Sequence, residues 1–306
     1  VKILITGGAG FIGSNLARSA LAADCEVVVV DDLSTGYRDN LDGLEVEFVE
    51  ASVLDSATLG RAAAGVDSVV HLAALGSVPR SVADPLASHH ANATGTLTVL
   101  QAARAAEVEH VIVASSSSVY GLNPARPKRE REWVRPVSPY AVSKLATEQY
   151  ALAFQQSFDL RTLAFRFFNV YGPGQRAGHV YAAVIPVFID KALRGEVLPI
   201  NGDGLTSRDF TFVDTVCATL LDACRRQVTH PEPVNLAFGT NTSLNELVAE
   251  LARLLGRDLD VEYRPARAGD VRHSEADPTS LRELFSEVRP VPLATGLAKT
   301  LAWFGQ

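Results

Sequence analysis

A chain of 306 residues, 47% hydrophobic and 21% charged, carries enough apolar material for a sizeable core and is not the composition of a disordered chain. Its net charge of −7 argues against a nucleic-acid partner, so an anionic ligand must be met by local basic residues. No apolar run is long enough to span a membrane, and Cys25, Cys217 and Cys224 have neither metal-ligand spacing nor the pattern of a disulfide framework. The expectation is a reduced cytoplasmic protein of about two domains, with no metal site. Met is absent and the chain opens on a strand, which reads as numbering that starts after the initiator, with no signal peptide.

Residues 1–6 read as a strand, 11–23 as a helix and 26–31 as a second strand. Strands follow at 46–49, 66–71 and 110–114, with a helix at 92–106 between the last two. Strands separated by helical crossovers predict an α/β fold built on a parallel, doubly wound sheet. A long helix at 140–158 starts near Ser138-Pro139, and a strand at 161–167 follows it. Beyond Asn169 come turns rich in Gly and Pro, namely Gly172-Pro173-Gly174 and Asn201-Gly202-Asp203-Gly204, which places a boundary near residue 168. Amphipathic helices are expected at 213–226 and 244–255, and a last helix at 293–303.

Gly7-Gly8-Ala9-Gly10-Phe11-Ile12-Gly13 joins the first strand to the first helix. The glycines Gly7, Gly10 and Gly13 permit a tight turn and close approach of the backbone to a pyrophosphate, which then lies on the helix N-terminus. Asp31 ends the second strand, where a carboxylate accepts from ribose hydroxyls and repels a 2′-phosphate, so the pattern favours NAD over NADP. The plainer reading is a tight turn followed by a solvated acidic loop. Strand, loop, helix and acid in register favour the dinucleotide.

Tyr140 and Lys144 stand four apart on one helix face, and a nearby cation lowers a phenol's pKa toward the range of a general base. Ser115-Ser116-Ser117-Ser118 follows the apolar strand at 110–114, at the carboxyl end where such sheets bind ligands. Singly, these are a surface pair and a polar turn. In this order after a glycine loop, they define a candidate catalytic set of Tyr140, Lys144, Ser116 and Ser117.

At this point the sequence resembles the extended short-chain dehydrogenase/reductase family, and within it the nucleotide-sugar epimerases and dehydratases. The resemblance covers essentially the whole chain. It rests on the glycine loop, His71-Leu72-Ala73-Ala74, Tyr140 with Lys144, Arg166-Phe167-Phe168-Asn169-Val170-Tyr171-Gly172, Asn201-Gly202-Asp203-Gly204 and Arg208-Asp209-Phe210. It implies a Rossmann-type NAD domain at 1–168, to which 210–236 returns, and a nucleotide-sugar region at 169–209 and 237–306. It also implies cofactor contacts from Ser52, Val53, Leu72, Ala73, Ala74 and Asn92, and a homodimer built on a four-helix bundle. Ser52 departs from the family pattern, which has an aspartate there for the adenine amino group.

The mechanism the resemblance implies starts with Tyr140 taking the proton of the sugar 4-hydroxyl while the C4 hydride passes to NAD. Lys144 holds the nicotinamide ribose and Ser116 bonds the C4 oxygen. Dehydratases of the family carry two carboxyls where this chain has Ser117 and Ser118, and decarboxylases carry a glutamate at the second position. A serine has no accessible pKa for removing a C5 proton. Return of the hydride to the other face of the 4-keto sugar, a 4-epimerisation, is the reading left. Alternatives are a dehydratase, a decarboxylase, a 4-keto-sugar reductase that exchanges its cofactor, and, from another class, a non-catalytic NAD-binding regulator.

For a UDP-sugar substrate the same resemblance points to Arg208 and Arg267 at the diphosphate and Asp270 at the uridine ribose. Asn169 is placed near the diphosphate or sugar, with Ala183, Val184, Ile200 and Asn201 around the uracil, and Ser77, Ser117 and Ser118 are added to the substrate set. The closest subgroup is the bacterial UDP-N-acetylglucosamine 4-epimerases. Ser274 falls at the gate position, where a small side chain leaves room for an acetamido group. Arg176, unusual for that subgroup, raises the competing idea of a pair with the C6 carboxylate of UDP-glucuronate. These two sugars stand near-equal, with UDP-glucose behind them.

Overall fold

The computed structural model describes residues 1–178, 183–266 and 272–305. One seven-stranded sheet organises it, formed by β1 (Lys2–Thr6), β2 (Glu26–Asp31), β3 (Glu47–Glu50), β4 (Ser68–His71), β5 (His110–Ser116), β6 (Arg161–Phe167) and the late strand Val234–Leu236. The order is Val234–Leu236, β6, β5, β4, β1, β2, β3, and all the pairings are parallel. From β1 the chain builds outward to β2 and β3, then crosses back to β4 on the other side. The carboxyl ends of β1 and β4 therefore flank the topological switch point, where a sheet of this kind opens a crevice.

The central strands are nearly continuous apolar runs because both faces of the sheet are covered. Val28, Val29 and Val30 of β2 and Ile3, Leu4 and Ile5 of β1 are all buried. One face packs α1 (Phe11–Leu21) and the helix Val213–Arg226 into a core that includes Leu16, Ala20, Val216 and Leu220. The other face carries α2 (Ser56–Ala62), α5 (Gly95–Ala105) and α6 (Pro139–Phe158), meeting over Leu59, Val99, Leu100 and Phe154. Two short helices, α3 (Val78–Ala83) and α4 (Pro85–His89), lead into α5 through a π-helical turn at His90–Thr94. The expected helix at 92–106 thus begins earlier and irregularly. Val53 closes on the turn there, within 2.8 Å of where a Cβ would stand on Gly95.

The sequence pattern of α6 places its start firmly. Ser138 accepts a hydrogen bond from the Ala141 amide at 3.2 Å, and Pro139 opens the helix where its missing N–H costs nothing. The structure extends β5 to Ser116, two residues past the expected end, because β5 pairs with β6 as far as Ser116 opposite Phe167. After β6 the strands are short: Asn169–Tyr171 pairs with Phe210–Phe212, and Leu198–Asn201 with Val261–Arg264. Ser207–Arg208 lies between Thr242–Ser243 and His273–Ser274. The buried Asp209 carboxylate ties these segments together, accepting from the Gly239 and Ala276 amides and from the Thr240 hydroxyl.

Candidate active site

The glycine loop follows β1 at the switch point. Gly7 has φ +73°, and a Cβ there would lie 2.6 Å from the Ala73 amide nitrogen just past β4, so the loop sits hard against the Leu72-Ala73-Ala74 segment. A Cβ on Gly13 would lie 2.3 Å from the Gly7 carbonyl oxygen, which lets the first turn of α1 close on the loop. Gly10 caps α1 without a side-chain hydrogen bond, leaving first-turn N–H groups for an anion. Asp31 at the end of β2 accepts from Ala9 N through Oδ2 and from Leu33 N through Oδ1, both at 2.9 Å. Burial raises its pKa, and the two backbone hydrogen bonds oppose that rise. Each carboxylate oxygen keeps a lone pair for a ribose hydroxyl. A pyrophosphate and an adenosine ribose fit this cradle as NAD presents them.

The other candidate cofactor residues border the same crevice. Val53 is buried and Ser52 caps the Leu54 amide at 3.2 Å. The Asn92 amide accepts from Leu75 N at 2.8 Å and donates to Ser143 Oγ at 2.9 Å, so it fastens the segment after β4 to the helix of Tyr140.

Burial raises the pKa of Tyr140, in the first turn of α6, and the hydroxyl of Ser116, at the end of β5, opposes that rise. Ser116 Oγ accepts from the Ser118 amide at 3.2 Å and the Ser118 hydroxyl at 2.9 Å. With both acceptor sites engaged, the Ser116 hydroxyl keeps its own proton to donate, and donation to a phenolate stabilises it. Ser117 begins the 3-10 turn beside it and is half-buried.

Lys144 departs from expectation. Its ammonium donates to the Ala114 carbonyl at 2.7 Å, and burial lowers its pKa to about 8. Burial raises the Tyr140 pKa, and Ser116, not Lys144, is the group that opposes the rise. The expected lowering of the phenol by Lys144 is therefore absent from the protein alone, because the strand carbonyl has drawn the ammonium to itself. A further buried pair braces this corner: Arg166 on β6 binds Glu148 on α6 at 2.7 Å, and Ser115 donates to the same carboxylate at 2.8 Å.

The candidate substrate residues lie on several separate elements. Ser77 caps α3 by accepting from Arg80 N at 3.1 Å. Asn169 lies against Asp209, its backbone amide donating to the Asp209 carbonyl. Ala183 is the exposed cap of the helix Val184–Leu193. Ile200 packs wholly inside the core, so its side chain is closed to a ligand here, and Asn201 is what that strand presents at its end. Ser274 stands directly across from Arg208 in adjacent parallel strands. Arg267 and Asp270 lie outside the described residues.

Arg176 is engaged within the chain. Its guanidinium binds Asp39 at 2.7 Å and lies 3.8 Å from the centre of the Tyr37 ring, in the loop after β2. Tyr37 and Asp39 carry no local motif, and their pairing with Arg176 has no sequence signal. Sequence reasoning also passed over Arg126. Lys128 bridges in parallel to Ala276, and Arg126 lies close enough to His273 for its charge to act on that imidazole. Burial, then the charges of Arg126, Arg272 and Arg208, hold the His273 imidazole below its usual pKa, so positive charge gathers at this edge.

Residues 3–237 match the NAD dependent epimerase/dehydratase family, and the chain belongs to it, with NAD as its cofactor. Over 99% of its length it is 39% identical to the UDP-glucose 4-epimerase of Mycolicibacterium smegmatis, covering 98% of that protein. It is 35% identical to a dTDP-glucose 4,6-dehydratase of Streptomyces griseus, over 99% of this chain and 93% of that one. Among solved structures, the UDP-N-acetylglucosamine 4-epimerase of Methanobrevibacter ruminantium, in complex with UDP-N-acetylmuramic acid, matches with a TM-score of 0.93 and 37% identity, over 99% of this chain and 97% of that one.

Proposed function

We propose that the protein is a UDP-sugar 4-epimerase that acts on UDP-N-acetylglucosamine. The observation that carries the reaction type is the set of side chains around Tyr140. At the end of β5 they are the hydroxyls of Ser116, Ser117 and Ser118, and the one glutamate of α6, Glu148, is bound to Arg166 and Ser115. Elimination of water across C5 and C6 needs a base at C5 and an acid at C6, and Ser117 and Ser118 carry no carboxyl for either step. Oxidation and reduction at C4 need only one proton acceptor there, and Tyr140 with its Ser116 donor supplies it.

In this reading Tyr140 takes the proton of the sugar 4-hydroxyl as a phenolate steadied by Ser116, and Ser118 holds Ser116 in the donating orientation. NAD, when bound, supplies a positively charged hydride acceptor at C4. Lys144 orients that end of the site from its anchor on Ala114. When the 4-keto sugar presents its other face, Tyr140 gives its proton back to the inverted hydroxyl. Arg208, with Ser274 across from it, faces the nucleotide-sugar, where a guanidinium fork suits phosphate oxygens.

The choice of sugar rests on two side chains. Ser274 leaves volume for an acetamido group as the sugar turns. Arg176, the residue that raised a uronate, is held by Asp39 instead. UDP-glucose fits the same volume and is the second reading. Exposed apolar side chains on α3, α4 and α6, among them Val82, Leu86, Val142 and Tyr150, support assembly as a homodimer through that helical face.

The test is incubation with UDP-N-acetylglucosamine, UDP-glucose and UDP-glucuronate without added cofactor, the products being separated by chromatography. UDP-N-acetylglucosamine should reach a mixture with its 4-epimer, and Ser274→Tyr should remove that activity while sparing UDP-glucose. A preference for UDP-glucuronate, or a Ser274→Tyr variant with unchanged relative rates, contradicts the sugar assignment.

A further inference from the structure

Arg176 joins two parts of the chain that are anchored separately, one on the glycine loop and one on the helix that follows it. The first is the loop after β2. The Tyr37 amide donates to the Ala9 carbonyl at 3.0 Å, and Asn40 Nδ2 donates to the same oxygen at 2.8 Å. The second is the turn after Asn169–Tyr171. Asn15 Nδ2 on α1 donates to the Pro173 carbonyl at 2.9 Å, and a Cβ on Gly174 would lie 3.4 Å from that same nitrogen and 3.7 Å from Phe11 Cδ2. The loop after β2 thus borders Asp31, the ribose acid, and the turn borders the first turn of α1, the pyrophosphate end.

Between these two banks, 137 residues apart in sequence, Arg176 makes a 2.7 Å ion pair with Asp39 and lies over the Tyr37 ring at 3.8 Å. The guanidinium holds the Asp39 carboxyl below its usual range. We propose that Arg176, Asp39 and Tyr37 form a clasp that retains NAD by joining the two banks of the dinucleotide cleft, and that Arg176 is a positioning residue for the cofactor. The clasp touches none of Tyr140, Ser116 or Lys144.

The purpose of such a clasp rests on the epimerase reading. A catalyst that returns the hydride to the same sugar gains nothing from exchanging its cofactor and loses a turnover whenever the reduced form escapes. A net oxidoreductase requires the opposite. An exposed ion pair and an arginine–ring contact are each weak, so the clasp slows release without making binding irreversible.

The experiment measures cofactor release in the absence of sugar. The purified protein is loaded with NADH and mixed with excess NAD, and the decay of NADH fluorescence gives the release rate. Asp39→Asn should speed release about 2–5-fold, and Arg176→Ala, which removes both contacts, about 5–20-fold. Raised salt should speed release from the wild type and leave Arg176→Ala unaffected. The exchanged pair, Asp39→Arg with Arg176→Asp, should return the rate toward wild type. Release at the wild-type rate from both single variants overturns the clasp. So does unchanged release combined with altered sugar preference in Arg176→Ala, which returns the guanidinium to the substrate. Turnover that depends on added free cofactor contradicts the epimerase reading and leaves the release comparison standing on its own.

Discussion

Tyr140 and Lys144 stand on the same helix face but do different work in the folded chain. Burial raises the Tyr140 pKa and the Ser116 hydroxyl opposes the rise, so the proposed phenolate depends on Ser116. Tyr140→Phe keeps the ring and removes only the proton acceptor, so NAD content should be unchanged while turnover falls by orders of magnitude. Near-normal turnover in that variant removes Tyr140 from the mechanism. Lys144 is held charged in a buried place, with its pKa lowered to about 8 from 10.5. The unfolded chain binds more protons than the folded one between those values, so the cost of burying the ammonium is present below about pH 8 and is relieved as pH rises toward 10.5. The shift corresponds to a net cost of roughly 3 kcal/mol. Lys144→Met should therefore be inactive yet no less stable than wild type at pH 7, and should lose the gain in stability between pH 8 and 10. A large drop in its unfolding midpoint contradicts the account of a strained, functional lysine.

The strands position this pair through buried polar contacts at their ends. His71 closes β4, its Nδ1 on Thr6 Oγ1 at 2.7 Å and its Nε2 on Thr96 Oγ1 at 3.1 Å, which ties β1 to α5. His110 opens β5 with its Nε2 on the Val228 carbonyl at 2.8 Å and its Nδ1 on Ser68 Oγ at 3.1 Å. Burial lowers His71 to about 3 and His110 to about 4, so both are neutral in the fold. Below about pH 6.5 the unfolded chain takes up protons that the folded histidines refuse, and stability falls with pH by roughly 1 kcal/mol per unit for each of them. Denaturant titrations between pH 6.5 and 4.5 should show this slope, and the His71→Asn, His110→Asn double variant should flatten it. A slope unaltered by both substitutions places the acid sensitivity elsewhere.

The same elements show what the sequence reveals and what it hides. The valine run of β2, the glycine loop and the Ser138-Pro139 start of α6 are local signals, and β2, β6 and the helices at 213–226 and 244–255 have the expected bounds. Ser207–Arg208, Thr242–Ser243 and His273–Ser274 are two residues each, too short for a periodicity, and exist only because partners from distant segments pair with them. The anchoring of Lys144 on Ala114 depends on which β5 carbonyl faces α6, which spacing along one helix cannot show. Ile200 alternates into the core with its strand, whereas a motif match weighs it equally with Asn201.

Seen together, the sheet and its extensions form a cleft in which the cofactor end and the reacting end are held by different residues. In the proposed function the glycine loop, Asp31 and the Arg176 clasp serve the first, and Ser116, Ser118, Tyr140 and Lys144 serve the second. That separation suits a reaction in which a hydride leaves C4, stays within the protein and returns to C4. Isotope tracing decides it: UDP-N-acetylglucosamine deuterated at C4 is incubated with the protein in ordinary water, and the product is read by mass and by proton NMR. Internal return predicts a 4-epimer of unchanged mass with the deuterium still at C4 and none exchanged with solvent. A product lighter by one water with deuterium at C6, or loss of the label to added cofactor, contradicts the 4-epimerase account.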